Sequence, residues 1–315
     1  MTFPDAGRQL PFFVRPFPGE NWYSILSRYH FASAHLTHRA TSLEIFGRTP
    51  ELHPTMVLPY QIQRVDILIP PESGLNSIQM MKEHSVWPYL RFSSLYQEKA
   101  ILPIIAAHSR RGRRLQTRIM ADVQHSDKRL RFCPLCARDD CKKEGEAYWH
   151  LLPQMKGVLY CHIHGVPTQV SDTPRQTHLR TYYPASSVLK IPSLSASGRT
   201  KVDPNKSRNE DWLIQLSSTI AWMLDSGCRL KDPGQMERYY MKTLTETGMA
   251  WTDIRNEFVK IYPESLHLVF EGPDEVQYFL QKVGAGLIQK FTPLDHALLL
   301  TYMEPAKSFY DEFDI

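Results

Sequence analysis

Cysteine is scarce in this chain, with five residues among 315, and they are too unevenly placed for the disulfide framework of a small secreted protein. Four of the five lie between Cys133 and Cys161, whereas Cys228 stands alone. Clustered cysteines without such a framework are typical of a metal site in a reducing compartment. We therefore expect a cytoplasmic protein that binds a metal ion.

Long hydrophobic runs are also missing. No stretch approaches the roughly 18 uncharged apolar residues that a membrane-spanning helix requires, so no membrane partner is expected. The first residues, MTFPDAGRQLPFFVRPF, lack the continuous apolar segment of a secretion signal. The length and the 42% apolar content instead predict a folded soluble chain of two or three domains.

The familiar sequence motifs of enzymes are absent as well. The segment Ser197–Lys201 lacks the leading glycine and the Gly-Lys order of a phosphate-binding loop. Gly284 and Gly286 supply only two glycines of a dinucleotide-binding fingerprint, and no strand is predicted before them. Neither a nucleophile elbow nor an HExxH sequence occurs. The sequence therefore predicts a protein that is not an enzyme.

Helical periodicity is what the sequence does contain. Apolar residues at Trp22, Ile25, Leu26 and Tyr29 fall on one face of a helix predicted from Glu20 to about Ala34. Thr41 is expected to cap a second short helix that stops near Gly47. Further helices are predicted over residues 60–69, 77–84, 95–108, 211–224, 235–247, 252–262, 273–283 and 293–303.

The pattern changes between residues 132 and 168, where Cys, Gly and aromatic residues replace helical spacing. This composition predicts a small metal-centred module with short strands. The predicted fold is therefore mainly α with a small zinc-binding α/β module. Its parts are a helical N-terminal domain with helix-turn-helix-like units (1–125), the zinc-finger module (126–170), an irregular connection (171–210) and a helical C-terminal domain (211–315).

Four residues of this module have the spacing of zinc ligands. The sequence Cys133-Pro-Leu-Cys136 is followed after 24 residues by Cys161-His-Ile-His164. Each two-residue gap lets a pair of side chains converge on one ion, and two such pairs complete a tetrahedron. We predict one structural Zn²⁺ bound by these four residues.

Two alternatives to this prediction are other ligands from nearby residues and a catalytic instead of a structural zinc. Cys141, His150 and His162 are competing ligands, although Cys141 lies in a charged stretch that is expected to be exposed and His162 is expected to point away from the ion. A catalytic zinc would leave one coordination position open for water. Four good ligands and the lack of a zinc-deaminase His-x-Glu motif favour the structural site.

A dense basic segment precedes the module, with Arg110, Arg111, Arg113, Arg114 and Arg118 as its arginines. Five guanidinium groups could contact several phosphates of double-stranded DNA, in a way that depends on salt but not on sequence. A solvated helix end explains the same residues equally well, so both interpretations stay open on charge alone.

The zinc segment resembles the TniQ/TnsD family of transposon target-selection proteins. The residues that carry the resemblance are Arg131–Cys136 (RFCPLC), Gly145–Trp149 (GEAYW) and Gly157–Gly165 (GVLYCHIHG), and three weaker matches bracket them at Pro18–Arg28, Glu83–Leu90 and Phe291–Leu300. Many TniQ proteins have a second cysteine cluster after the first, and its absence makes this chain more similar to the TnsD branch. TnsD proteins are usually longer, so either this is a short member or the chain is truncated.

The resemblance implies a bacterial protein with no reaction of its own. Such a protein recognises a DNA site directly, or an RNA-guided Cascade complex on DNA, and recruits the AAA+ ATPase TnsC to target DNA. Two other functions stay open from the sequence: a zinc-containing DNA-binding transcription regulator with no transposition partner, and a zinc hydrolase.

Overall fold

The computed structural model describes residues 9–46, 64–96, 118–125, 129–174, 182–189, 208–226 and 234–303. The helices among them are α1 (Trp22–Ala32), α2 (His38–Phe46), α3 (Val65–Leu68), α4 (Ser77–Glu83), α5 (Trp87–Leu90), α6 (118–123), α7 (Pro134–Lys143), α8 (Ala185–Val188), α9 (Arg208–Ser226), α10 (Gly234–Thr247), α11 (Trp251–Ile261), α12 (Pro263–Val269), α13 (Pro273–Gly284) and α14 (Pro293–Met303). The fold is mainly helical, as the sequence predicts.

One small antiparallel sheet lies among the described residues. Strand β1 (Arg129–Phe132) pairs with β2 (Gln169–Pro174), and Arg131 lies opposite Val170. The pairing is irregular between Arg129 and Arg131. The two strands flank the cysteine-rich segment in the sequence, so their pairing brings both ends of that segment together.

Helix α1 follows its sequence pattern closely. The Asn21 side chain accepts a hydrogen bond of 2.9 Å from the Ser24 N–H group and so caps the first turn. The apolar residues at helical spacing, with Trp22 and Leu26 among them, are buried. Since α1 ends at Ala32, its predicted extent is correct to within two residues at each end.

The predicted cap of the second helix is wrong. Helix α2 begins at His38, so Thr41 lies inside it and is fully buried. Its hydroxyl oxygen lies 2.6 Å from His30 Nδ1 and 2.8 Å from His35 Nδ1. The threonine therefore satisfies its hydroxyl through tertiary contacts instead of capping backbone N–H groups.

The remaining helix predictions have three kinds of outcome. Helices α4, α9, α10, α11, α13 and α14 match predicted segments to within about three residues. Two segments fall partly outside the described residues, which cover only 64–69 of the predicted helix 60–69 and only 95–96 of the predicted helix 95–108. Five helices of the described ranges lie outside the predicted segments: α5, α6, α7, α8 and α12. Of these, α7 lies in the module expected to have short strands, α8 lies in the expected irregular connection, and α12 starts at Pro263.

The helices of the C-terminal half pack on the N-terminal half. Helix α9 contacts both α14 and α5, and the rings of Trp222 and Phe92 meet edge to face at 5.5 Å. The Ser93 hydroxyl donates a hydrogen bond of 2.5 Å to the Phe291 carbonyl oxygen.

The four-part domain division stays a prediction. None of the helices in the described ranges combines the length and apolar character of a membrane span.

Candidate metal centre

The first pair of candidate ligands is positioned by a strand-to-helix turn. Strand β1 ends at Phe132, and Cys133 is the N-cap of α7. Pro134 occupies the first helical turn, where its missing N–H group costs no hydrogen bond. The Cys133 sulfur accepts a hydrogen bond of 3.5 Å from the Cys136 N–H group, so both sulfurs lie at the amino end of the helix.

The second pair is positioned by a tight backbone turn. The N–H group of Gly165 donates to the Cys161 carbonyl oxygen at 2.8 Å, and the Cys161 N–H group donates to the Val166 carbonyl oxygen at 2.8 Å. Gly165 has a φ of 61°, a left-handed conformation that glycine adopts without strain. This turn directs the Cys161 and His164 side chains to the same side.

The two turns bring four ligand atoms together. The ligand atoms of Cys133, Cys136, Cys161 and His164 all lie within 4.8 Å of one another. The Cys136 and Cys161 sulfurs are 3.6 Å apart, and His164 Nδ1 lies 3.4 Å from the Cys136 sulfur. A tetrahedral zinc with bonds of about 2.3 Å to sulfur and 2.0 Å to nitrogen separates its ligand atoms by roughly 3.5–3.8 Å. The four residues are therefore close enough to bind one metal ion, and their spacing fits tetrahedral zinc.

The three thiols lie close enough to shift one another's pKa. Hydrogen bonding with the Cys133 and Cys161 sulfurs raises the pKa of Cys136, and the same contacts from Cys133 and Cys136 lower the pKa of Cys161. The pKa of Cys133 is lowered by Cys136 but raised by Cys161 and by burial, and its net shift is upward. Three thiolates this close together would repel one another, and a divalent cation can stabilise them together.

A carboxylate supports the histidine from outside the cluster. His164 Nε2 lies 3.1 Å from Asp139 Oδ2, while its Nδ1 atom faces the sulfurs. An acceptor on the outer nitrogen fixes the tautomer and ring orientation of a ligating histidine. Asp139 was missed from the sequence, although its position three residues after Cys136 places both on one face of α7.

The competing residues lie outside the four-atom cluster. Cys141 is half-buried and packs against the hydrophobic core, so the expectation that it is exposed is wrong. His150 Nε2 lies 2.8 Å from Asp140 Oδ2, and the ring stacks on Tyr148. His162 buries its Nδ1 atom, which has no hydrogen-bond partner among the described residues.

A partly buried ion-pair network joins helix α1 to this module, and the sequence did not reveal it. Arg28 Nη1 lies 3.0 Å from Glu20 Oε2, and Arg28 Nε lies 2.8 Å from Glu146 Oε1. Burial raises the pKa of Glu20 to about 7, although the charge of Arg28 acts in the opposite direction. The N–H group of Asn21 also donates to the Trp149 carbonyl oxygen at 3.0 Å. The segment before α1 is thus attached to the module through both backbone and side chains.

The predicted DNA-contacting arginines lie largely outside the described residues. Arg110, Arg111, Arg113 and Arg114 fall in the range 97–117, which the structure does not describe. Arg118 is the first described residue of α6 and is exposed to solvent. The role of this basic segment stays a prediction.

Comparison with known proteins identifies the part of the chain that holds the cluster. No curated protein matches the chain. The family model described as TniQ matches residues 11–167, a range that includes α1, the Glu20–Arg28 ion pair and all four candidate ligands. About half of this chain, residues 11–167, is therefore a TniQ domain.

Proposed function

We propose that this protein is a non-catalytic, DNA-binding target-site selector for Tn7-like transposition that recruits the AAA+ ATPase TnsC to target DNA in the bacterial cytoplasm. The observation that carries the proposal is the TniQ domain at residues 11–167, since TniQ domains are associated with transposition. The likeness to the TnsD branch belongs to the same proposal.

The proposed metal is a structural Zn²⁺ on Cys133, Cys136, Cys161 and His164. Three sulfurs and one nitrogen at tetrahedral separations are a closed donor set, which leaves no position for a catalytic water. The ion would tie the amino end of α7 to the turn at Cys161. Such a link stabilises a small module, because metal binding then contributes directly to its folding free energy.

Two features support the proposed contact with double-stranded DNA. The arginines Arg110, Arg111, Arg113, Arg114 and Arg118 supply positive charge for phosphate contacts. Helices α10 and α11 are joined by only three residues, with Gly248 in a left-handed conformation at a φ of 69°, as in helix-turn-helix units. Thr252, Asn256 and Lys260 are exposed on α11 and could reach base edges or phosphates.

Recruitment requires a surface for TnsC as well as one for DNA. Helices α1 to α3, or the acidic residues 311–314 beyond the described part, could provide it. DNA would act as the common platform, because phosphate contacts hold both proteins in register and raise their local concentration. Target recognition would be direct, or through an RNA-guided Cascade complex.

The test is to map the position of the purified ATPase on a DNA fragment that carries the element's own target. We expect a footprint at the target only when this protein is present, and no ATP or DNA hydrolysis by this protein alone. An ATPase position that is the same with and without the protein would contradict the proposal. A protein that binds the DNA without affecting the ATPase would instead be a transcription regulator, and metal-dependent turnover would identify a hydrolase.

A further inference from the structure

A groove of about 830 Å³ opens at the metal centre, and the four candidate ligands form part of its lining. Its volume is within the size range of specific ligand sites. Its described walls come from three separate parts of the chain. Lys82 and Glu83 lie at the end of α4, Ile163 lies on the turn between two candidate ligands, and Leu224 and Asp225 lie near the end of α9. The groove therefore forms only when the N-terminal helices, the metal module and the C-terminal helices are folded together.

The lining of the groove is mostly apolar. Leu152, Pro153, Ala221 and Leu224 are each only partly buried along it. Ile163 is 68% exposed although the turn around Cys161 fixes its position. An isoleucine held in this way at the edge of an apolar groove offers apolar contact area to a partner protein.

The charges around the groove discriminate between classes of partner. Its described lining carries four carboxylates and one ammonium group, that of Lys82. Asp139 and Asp140 lie within hydrogen-bond distance of histidines of the metal module, whereas Glu83 and Asp225 are exposed at the rim. Carboxylates in excess repel phosphate, so this groove does not suit a DNA or RNA backbone. They favour lysine or arginine side chains instead, and the apolar lining favours protein over a small hydrophilic cation.

We propose that the groove between Ile163, Glu83 and Leu224 binds a segment of a partner protein that combines apolar side chains with lysine or arginine. The segment fills the apolar floor, and its basic side chains lie at the acidic rim. This inference rests on the proposed function, in which the partner is the AAA+ ATPase. It assigns the recruiting surface to this groove instead of helices α1 to α3 or residues 311–314.

The experiment measures binding of the purified ATPase to the immobilised full chain and to four exposed-residue variants. Ile163→Glu places a charge at the groove edge, and Ile78→Glu is its matched control on α4, outside the groove. Glu83→Lys reverses one charge of the rim, and Glu72→Lys is its control in the turn before α4. We expect the two groove variants to weaken binding by about tenfold or more and the two controls to match the wild type.

Three other results would bear on the proposal. Equal ATPase binding by all five proteins would overturn the groove while leaving the proposed function intact. If the wild type binds no ATPase, the proposed function fails, and a phage-displayed random peptide library panned on the wild type decides about the groove. Apolar and basic peptides that the Ile163→Glu variant does not retain would support the groove, whereas acidic peptides or no enrichment would overturn it. Loss of DNA binding in the Ile163→Glu variant alone would also overturn it, because the groove would then be a nucleic-acid surface.

Discussion

His164 places its Nδ1 atom among the three cysteine sulfurs while its Nε2 atom lies 3.1 Å from the carboxylate of Asp139. This relationship predicts that Asp139→Asn weakens metal retention by roughly 10- to 100-fold, because supporting carboxylates orient ligating histidines and raise their basicity. Competition with a chromophoric chelator measures the affinity. Asp274→Asn removes an exposed carboxylate outside the groove and the cluster and serves as the control. Equal affinities of the two variants would show that Asp139 does not support the ligand.

The four-residue cluster predicts different metal contents for two cysteine variants. Cys136→Ser removes one of four ligands and should lose the metal during purification, with a loss of stability of several kcal/mol. Cys141→Ser should keep one ion per chain, because Cys141 lies outside the group of converging ligand atoms. Elemental analysis of the purified proteins measures both. A Cys141→Ser protein without metal would contradict the ligand assignment.

Burial of Glu20 predicts a pH dependence of stability. Its pKa of about 7 exceeds the ordinary value of 4.5, so the folded state holds this proton more tightly than the unfolded state does. The contribution of the wild-type carboxyl group to stability is therefore greatest below pH 4.5 and is lost as the pH rises towards 7. The lost free energy is on the order of 3 kcal/mol.

Glu20→Gln isolates this effect, because glutamine cannot titrate but keeps similar hydrogen-bonding capacity. His30, whose pKa burial lowers to about 4, gives an opposite slope between pH 4 and 6.5 in both proteins. We therefore expect the free energy of unfolding of the variant, minus that of the wild type, to increase from pH 5 to pH 8. Urea unfolding at both pH values measures the difference, and a difference independent of pH would mean that the pKa of Glu20 is ordinary.

Gly157 predicts a steric coupling between the TniQ domain and the C-terminal helices. Its φ is +90°, and an added Cβ would lie 3.0 Å from Leu294 Cδ1 and 3.4 Å from Ile220 Cδ1. Gly145 also has a positive φ, of +85°, but no atom within 4 Å of such a Cβ. Both alanine variants carry the backbone strain of about 1–2 kcal/mol, and Gly157→Ala should lose a further 1–3 kcal/mol, roughly the cost of overpacking. Equal stabilities in denaturant would show that the interface adjusts freely.

The sequence predicted the elements whose signals are local. Helix α1 has four apolar residues at helical spacing and an Asn cap, and each of these signals depends on neighbouring residues alone. Helix α7 was missed because its sequence, PLCARDDCKK, lacks an apolar stripe, although Cys133 and Pro134 occupy N-cap and first-turn positions. Attention to those two positions would have predicted a helix start within the metal module.

Among contacts between distant residues, sequence patterns predicted only those that have a characteristic spacing. The spacing of the cysteines and His164 was sufficient to predict the metal cluster, because metal ligands come in characteristic pairs. The buried contacts of Thr41 with His30 and His35 have no such signature, and the local pattern therefore indicated a cap. The groove likewise combines Glu83, Ile163 and Leu224, which packing alone brings together from three distant segments.

The basic segment yields the last prediction, which concerns DNA. Changing Arg110, Arg111, Arg113 and Arg114 together to alanine should weaken binding to every DNA sequence alike. The slope of log affinity against log salt should fall by about 0.9 for each phosphate that the variant no longer neutralises. Filter binding or fluorescence anisotropy over a salt series measures both quantities on a target and an unrelated fragment.

A matched charge change separates specific phosphate contacts from the overall charge of the chain. The double variant Arg113→Ala, Arg114→Ala removes two positive charges, as does Lys142→Ala, Lys143→Ala, whose lysines are exposed at the end of α7. If the arginines contact phosphates, only the arginine pair should reduce the salt slope, because charge at a distance is screened over about 10 Å at 0.1 M salt. An unchanged slope in the arginine variants would mean that this segment faces solvent, and helices α10 and α11 would then be the next DNA surface to test.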